Sequence, residues 1–547
     1  MKWPFYAYFL AFLLKVSGEN IAFVYLIQFI LGAISCVLVY LIAKRIFGRA
    51  CAFIASLLCV WYGLFIFYEG LLIYTSLSIF LNLLFFLLLL YLPQRLSKKN
   101  LFLTGIFLGI CTLTQGNTII FGIISIVWLL WLEKSKFRIF LNKFLFFFLG
   151  LSLTVGLVTF RNYMVEKDFV LMAGNIGVNL YIGNNPASTG KFFCPAFFKP
   201  NQEGMFRDSK IIAEARTGKT LKTSQVSDFW VKKSLEFIKS NPLAFARLLG
   251  KKVIYLFSPS EFIHDNDYSC PDNKHRIFKV LFPDLRFILP LCILGLLVNL
   301  KNFKKTALLY FILITFSFSL IIFFVVTRYR IVMVPFMAIF AASAIISIWD
   351  AAVKKEKNKT MLLLLVLSLL CAYFTFIGKK TYLADQSSFG TYPPSLNKAV
   401  DYMDKGDYIN AIKKLKEIRP PNHYSLFCFG VIAYNMKDFD AAEKRFKESI
   451  RMNPYFVDAY YNLGVIYYEQ GHFAKARDLL KKAVSMDPEN YAYHFELARS
   501  YNGLAEFKKA KEEFDLALIK INRWRTDERK EIEKELSFLI NSKSGKP

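Results

Sequence analysis

Apolar runs of about twenty residues, separated by short clusters of lysine and arginine, fill most of the first 380 positions. They lie near 21–44, 50–68, 71–92, 139–160, 284–300, 306–327, 331–348 and 360–378, with a longer run at 101–132. A helix of about 20 apolar residues matches the hydrocarbon thickness of a bilayer. With 55% hydrophobic residues and 57 Phe in 547, a soluble domain has nowhere to bury such area, so the pattern predicts an all-α, polytopic membrane bundle. The formal charge of +28 then reads as basic loops and a surface suited to anionic lipid, rather than as a nucleic-acid interface.

The run 101–132 is too long for one crossing, because at 1.5 Å per residue it would reach roughly 48 Å. Gln115-Gly116-Asn117 stand at its middle, so two short crossings joined by a hairpin are expected. Five basic clusters then fall on one face: Lys44, Arg45, Arg49; Arg95, Lys98, Lys99; Lys134, Lys136, Arg138; Lys301, Lys304, Lys305; and Lys354, Lys355, Lys357. The positive-inside rule makes that face cytoplasmic and gives ten spans. The turn Tyr68-Glu69-Gly70, the segment 161–283, "TRYR" at 327–330 and everything after 379 become extracytoplasmic, as for a protein of a bacterial inner membrane. The domain reading is an N-terminal bundle to 160, a loop domain over 161–283, further spans over 284–378 and a repeat domain from 379.

Cysteines and histidines show no spacing for a metal site. Cys36, Cys51, Cys59, Cys111, Cys292 and Cys371 lie in apolar runs and read as inert core residues. Cys194 and Cys270 share one polar region, where a disulfide is one of the options. Residues 200–255 read as basic amphipathic helix, with Trp230, Leu235, Phe237, Ile238 and Leu243 either on the membrane surface or packed within the loop domain. "YIGNNPASTG" at 181–190 follows the alternating "VNLYI" and is expected to close a short hairpin, with Gly183 and Gly190 supplying turn backbone.

Beyond 379 a period of 34 appears: Gly430 and Gly464, Pro454 and Pro488, then Ala442, Ala476 and Ala510. "YYNLGVIYYEQGHFAKARDLLKKAVSMDP" matches the tetratricopeptide pattern. An imperfect earlier unit holds Tyr402, Ala411 and Leu415. About four helix pairs are expected, followed by a charged capping helix after Trp524, with a surface for a protein or glycan-assembly partner.

"RNYMVEKDFVLMAGNIGVNLYIGNNPASTGKF", "SPSEFIHDNDYS" at 258–269, "VTRYRIVMVPFMAIFAA" at 326–342 and the early spans "LIQFILGAISCVLVYLIAKRIFG" and "YEGLLIYTSLSIFLN" together resemble bacterial relatives of dolichyl-phosphate-mannose protein mannosyltransferases. These are multispanning glycosyltransferases of the GT-C class. The resemblance covers roughly 1–378. It implies transfer of a sugar from a polyprenyl-phosphate donor to a protein, lipid or glycan acceptor at the extracytoplasmic face, with a catalytic Asp in the first external loop and basic residues on the lipid phosphate. That family has a further span and its Asp-bearing loop ahead of the point where "MKWPFYAYF" stands. No acidic residue here precedes Glu19, so a start lying upstream is expected.

Within this frame Glu69, a carboxylate at a span junction, and Glu261, grouped with Asp265 and Asp267, are the candidate catalytic acids. Arg328 and Arg330 flank Tyr329 at a span end, and their guanidinium forks suit a phosphate leaving group; Arg161 is a second donor of that kind. Asn175, Asn179, Tyr181, Asn184, Asn185, Gln115 and Asn117 supply amides and a hydroxyl for a sugar rim. Two other functions stay open: a non-catalytic membrane-anchored repeat scaffold, and a polymerase or ligase for surface polysaccharide.

Overall fold

The structure, a computed structural model, describes residues 4–133, 137–172, 174–192, 195, 198, 202–258, 285–387, 394–418, 420–488, 490–521 and 526–543. Among them helices are the only regular elements, apart from one isolated parallel bridge between Lys191 and Val325. The chain divides into two compact units. One gathers the residues up to 192 with 222–258 and 285–387; the other gathers 195–221 with 394–543.

Among the described residues of the first unit, six helical stretches are long and apolar enough to cross a membrane: Ile21–Phe47, Thr75–Gln94, Phe137–Glu166, Leu285–Ile322, Thr327–Val353 and Lys357–Ile377. Arg49–Val60 and Gly63–Glu69, bent by 56° at their junction, add a seventh if counted as one broken span. The reading of ten spans is therefore corrected to about six. Length is the physical reason. Lys98–Thr114 and Thr118–Leu132 have 17 and 15 residues, about 25 and 22 Å of helix against a hydrocarbon core of about 30 Å. Leu285–Asn299 likewise has only 15 residues, and it is counted together with Phe303–Ile322, which follows the 3-10 turn Leu300–Asn302. The expected break at Gln115–Asn117 is present between two helices. The assignment of faces rested on ten crossings and loses that footing.

Small residues set the helix packing here. A Cβ on Gly105 would lie 2.0 Å from the Phe147 carbonyl oxygen, and one on Gly150 would lie 2.0 Å from that of Phe102. Gly109 faces Thr154, so contacts advance together and Lys98–Thr114 runs parallel to Phe137–Glu166. Gly295 meets the Phe340 carbonyl in the same way, and Asn299 Nδ2 donates to Ser343 Oγ (2.9 Å) across that interface. Backbones that approach this closely replace hydrophobic drive with dispersion contact, which suits helices in lipid.

Part of the polar segment after residue 166 also belongs to this unit, as three helices: Ile176–Gly183, Thr223–Ser240 and Pro242–Leu256. The hairpin expected around 176–190 is thus a helix followed by a turn. Gly177 packs on the Ser227 carbonyl and Gly183 on that of Phe323, each 1.9 Å from an added Cβ; the short apolar run is held by helix contacts rather than by a partner strand. Asp168 anchors the next helix, accepting from Ser224 N (2.7 Å) and Ser224 Oγ (2.6 Å). Trp230 and Phe237 are buried, whereas Leu235 and Leu243 are exposed. Cys51, Cys59, Cys111 and Cys292 are buried, Cys36 half-buried and Cys371 exposed, which corrects the core reading for Cys371. The Cys194–Cys270 pair, Glu261, Asp265 and Asp267 lie outside the described residues.

The second unit contains four helix pairs: Pro394–Asp404 with Tyr408–Lys416, His423–Asn435 with Phe439–Met452, Val457–Glu469 with Phe473–Met486, and Tyr491–Gly503 with Phe507–Lys520, then Thr526–Lys543. First helices begin at 423, 457 and 491, and second helices at 439, 473 and 507, the 34-residue step read from the sequence. Gly430 faces the Phe446 ring and Gly464 faces Leu480 where paired helices cross. Ala442, Ala476 and Ala510 are fully buried. Helix Gln202–Thr217 belongs to this unit as well.

Candidate functional site

Glu69 is the last residue of the short helix Gly63–Glu69. Two things fix its place. Gln28, buried about two turns into Ile21–Phe47, donates from Nε2 to the carbonyls of Glu69 (2.7 Å) and Leu71 (2.8 Å), and Tyr6 Oη donates to Gln28 Oε1 (2.9 Å). A buried amide thereby satisfies carbonyls that the helix end leaves open. Gly32, one turn further along the same helix, provides the second. A Cβ there would come within 1.9 Å of Glu69 Oε1, so the carboxylate occupies the space that a missing side chain leaves. Glu69 lines a small cavity of ≈ 20 Å³ together with Gly32, Ser35, Cys36, Ser76 and Pro335.

Five residues on, Tyr74 carries the Arg328 guanidinium over its ring at 5.8 Å, and Arg328 also lies 5.2 Å from the Tyr329 ring centroid. Arg328 Nη2 donates to Tyr329 Oη (3.4 Å). The structure therefore brings Arg328 and Tyr329 to the turn that follows Glu69. Arg330 goes elsewhere. It is buried, and its Nη1 donates to the carbonyls of Tyr255 (3.2 Å), Leu256 (3.3 Å) and Ser258 (2.6 Å). These close the C-terminal end of Pro242–Leu256, where a cation complements the helix dipole. Of the two arginines read as a phosphate fork, this one is committed to protein carbonyls.

A polar network lies behind the same turn. Ser78, one turn into Thr75–Tyr91, bonds Gln115 Oε1; Asn82 Nδ2 donates to the Ser78 carbonyl (2.8 Å), and Thr118 Oγ1 donates to Asn82 Oδ1 (3.1 Å). Gln115 Nε2 is buried with no hydrogen-bond partner among the described residues. Asn117 sits half-buried at the start of Thr118–Leu132, and Arg161 is exposed, donating to Asn162 Oδ1 (3.3 Å).

The rim residues 175–185 serve largely as local structure. Asn184 Nδ2 donates to the carbonyls of Leu180 (2.9 Å) and Ile322 (2.8 Å), and its Oδ1 accepts from Lys252 Nζ (2.8 Å). Asn185 Nδ2 donates to the Tyr181 carbonyl (2.7 Å), and its Oδ1 accepts from Ala187 N (2.8 Å). The Tyr181 ring packs on Trp230 at 4.6 Å. Asn175 is buried, and the Asn179 backbone N–H bonds its carbonyl. Val325 N donates to the Gly190 carbonyl (3.1 Å), so the turn runs beside the chain that leads into Thr327–Arg330. Lys252 is fully buried, and that burial pushes its ammonium down to about 7.

Gln28, Ser78, Asn82 and Lys252 were missed from sequence. The first three carried a readable signal, since polar residues inside 20-residue apolar runs are costly and have a task. Lys252 is distinguished from its neighbour Lys251 only by helical phase, sharing a buried stripe with Leu248, Tyr255 and Leu256. Among the described residues no three His, Cys, Asp or Glu side chains gather to hold a metal.

Fold and site together define an integral membrane protein of apolar helices joined to a helical-repeat array. Residues 2–160 match the family model described as dolichyl-phosphate-mannose-protein mannosyltransferase, under a third of the chain. Residues 429–490 and 469–521 match tetratricopeptide repeat models. The chain thus carries a GT-C-type glycosyltransferase domain at its N-terminal end and tetratricopeptide repeats, a protein-interaction module, at its C-terminal end. Among solved structures it is similar to the Archaeoglobus fulgidus oligosaccharyltransferase tethered with an acceptor peptide, at 15% identity over 76% of this chain and 50% of that one, with a TM-score of 0.32. It is also similar to MamA from Desulfovibrio magneticus RS-1, at 17% identity over 28% and 96% with a TM-score of 0.23. A third similarity is to yeast Tom70, at 12% identity over 94% and 96% with a TM-score of 0.27. No curated protein matches the chain.

Proposed function

We propose that the chain is an integral-membrane glycosyltransferase that moves a sugar from a polyprenyl-phosphate donor to a hydroxyl-bearing acceptor (protein, lipid or glycan) at the extracytoplasmic face, and that the repeats recruit a protein partner. The observation that carries this reading is the position of Glu69. Its carboxylate lies in a cavity over Gly32, within the matched region, and the next turn bears Tyr74 with Arg328 across it.

In this mechanism Glu69 takes the proton of the acceptor hydroxyl as the acceptor oxygen bonds to the sugar anomeric carbon. The bond from that carbon to the phosphate oxygen breaks, and the electron pair leaves with polyprenyl phosphate. Arg328 stabilises the charge that develops on the phosphate. Tyr74 and Tyr329 orient its guanidinium by stacking.

Full-length protein in membranes, supplied with polyprenyl-phosphate sugars and an acceptor, is expected to release polyprenyl phosphate. Glu69→Gln should lower turnover by about 10²–10⁴-fold, the usual range for losing a general base, and Arg328→Met should raise the donor concentration needed for half-maximal rate. Absence of turnover with every donor sinks the reading; full activity in Glu69→Gln removes Glu69 from the role.

A further inference from the structure

Helix Gln202–Thr217 lies in sequence between segments of the membrane unit, yet it is built into the repeat unit. It is not one of the 34-residue units. Met205, Asp208, Ser209, Ile212 and Ala213, spaced along one helical stripe, are all buried, and so is Ile211. Ile211 shares a buried cluster with Val457, Ala483 and Tyr493. Those three residues come from the first turns of Val457–Glu469 and Tyr491–Gly503 and from the last turn of Phe473–Met486.

One turn before Ile211, Arg207 is held by Asp208 of its own helix (Nε to Oδ1, 3.5 Å) and lies between two acids of the repeats. Its Nη2 is 3.5 Å from Asp458 Oδ2 and its Nη1 is 3.5 Å from Asp487 Oδ2. The aspartate side chains are only 15% and 12% exposed, and Tyr493 Oη donates to Asp458 (2.8 Å). Two carboxylates this enclosed repel each other and lose hydration unless a cation joins them. The acids are also peculiar to this junction. One repeat earlier and one later, the position of Asp458 holds Tyr424 and Ala492, and that of Asp487 holds Asn453 and Ile521. The repeats on either side do not share these acids, so the 34-residue pattern alone does not account for them.

We propose that this junction is a peptide-recognition site of the repeat array, occupied in cis by Gln202–Thr217, and that its partners in trans are helical protein segments presenting an arginine and, four residues on, an aliphatic side chain. The acids select the cation, and the Val457–Ala483–Tyr493 hollow takes the aliphatic group. The Arg207 side chain remains 24% exposed, so the cation of the internal helix sits where a competing segment can reach it.

The test uses full-length protein in detergent and a labelled peptide of residues 202–218 as probe. Wild type, with its own helix seated, should bind the peptide at least ten-fold more weakly than the Arg207→Glu, Ile211→Asp double variant. Adding Asp458→Asn and Asp487→Asn to that variant should abolish the gain. Equal weak binding by wild type and the double variant overturns the proposal, as does binding that ignores the two aspartates. If the double variant fails to fold, wild type alone decides. Excess peptide should speed tryptic cleavage at Arg207 and Lys210, and unchanged cleavage overturns the proposal. None of these readouts depends on glycosyl transfer.

Discussion

The membrane unit and the repeat unit are both built of paired helices, and they distribute polarity in opposite senses. In Ile21–Phe47, Phe29, Val37 and Leu41 are exposed while Gln28 and Ser35 are buried. In the repeats Ala476, Leu480 and Phe514 are buried, and exposed faces carry ion pairs such as Lys405–Asp401 (2.8 Å) and Arg445–Glu448 (2.9 Å). The difference follows from the solvent. Lipid leaves nothing to gain from burying Leu against Leu, so the first unit is specified by its buried polar groups and close backbones. Water rewards apolar burial, so the second is specified by side-chain size at each crossing.

The largest expected effect tests the buried polar side of this contrast. Lys252 bonds Asn184 and the Ile322 carbonyl, and burial holds its ammonium down to about 7 from an unfolded value of 10.5. Between these two pH values the unfolded chain binds a proton that the folded chain does not, so folding stability rises with pH across that window and is flat below it. The slope approaches about 1.4 kcal/mol per pH unit. Thermal unfolding of the detergent-solubilised protein between pH 7 and pH 10 should show this rise in the membrane transition, and Lys252→Met should flatten it. A flat wild-type profile would mean that Lys252 reaches water.

Next in size is a matched pair of glycines. Gly105 meets backbone, the Phe147 carbonyl, whereas Gly464 meets the side chain of Leu480. Backbone cannot step aside, so Gly105→Ala should cost about 1–3 kcal/mol through forced separation of two helices. Leu480 can rotate, and alanine gains about 1 kcal/mol over glycine in a helix interior, so Gly464→Ala should come out near neutral. Unfolding temperatures of the two variants, followed by probes in each unit, measure this directly. Equal losses would break the contrast between backbone-limited and side-chain-limited crossings.

The same contrast explains what the sequence made legible. The repeats were readable to the residue because each 34-step reuses one local solution, with Gly430 and Gly464 marking the crossings. In the membrane unit the apolar character was plain, but the count was not. Hydropathy reports length of apolar sequence, whereas crossing depends on helix breaks such as the bend between Val60 and Gly63. Glu69 was visible as a charge near hydrocarbon, but its partner in space, Gly32, carries no signal without the fold. Asn184 and Asn185 looked like ligand amides because sequence does not say which carbonyls surround them. Helix Gln202–Thr217 was legible as a helix, though nothing in its composition assigns it to the repeats.

The smallest effect belongs to the repeat unit and sharpens the comparison from its other side. His423 opens the helix His423–Asn435, is buried, and stands edge-on to Phe456 with ring centroids 5.1 Å apart. Burial pushes its imidazole down to about 4 from 6.5, so it folds neutral. Above pH 6.5 both states are neutral and the residue has no pH-dependent effect. As pH falls from 6.5 towards 4 the unfolded chain takes up a proton first, and stability is lost. Between pH 6.5 and 5.5 the loss should be about 1 kcal/mol, read as a lower unfolding temperature in the repeat transition alone. His423→Phe keeps the apolar contact and removes the titration, so it should abolish that shift while leaving the Lys252-dependent rise of the membrane transition intact. If mild acid instead shifts both transitions together, the two units unfold as one, and the separate solvents described above do not govern separate stabilities.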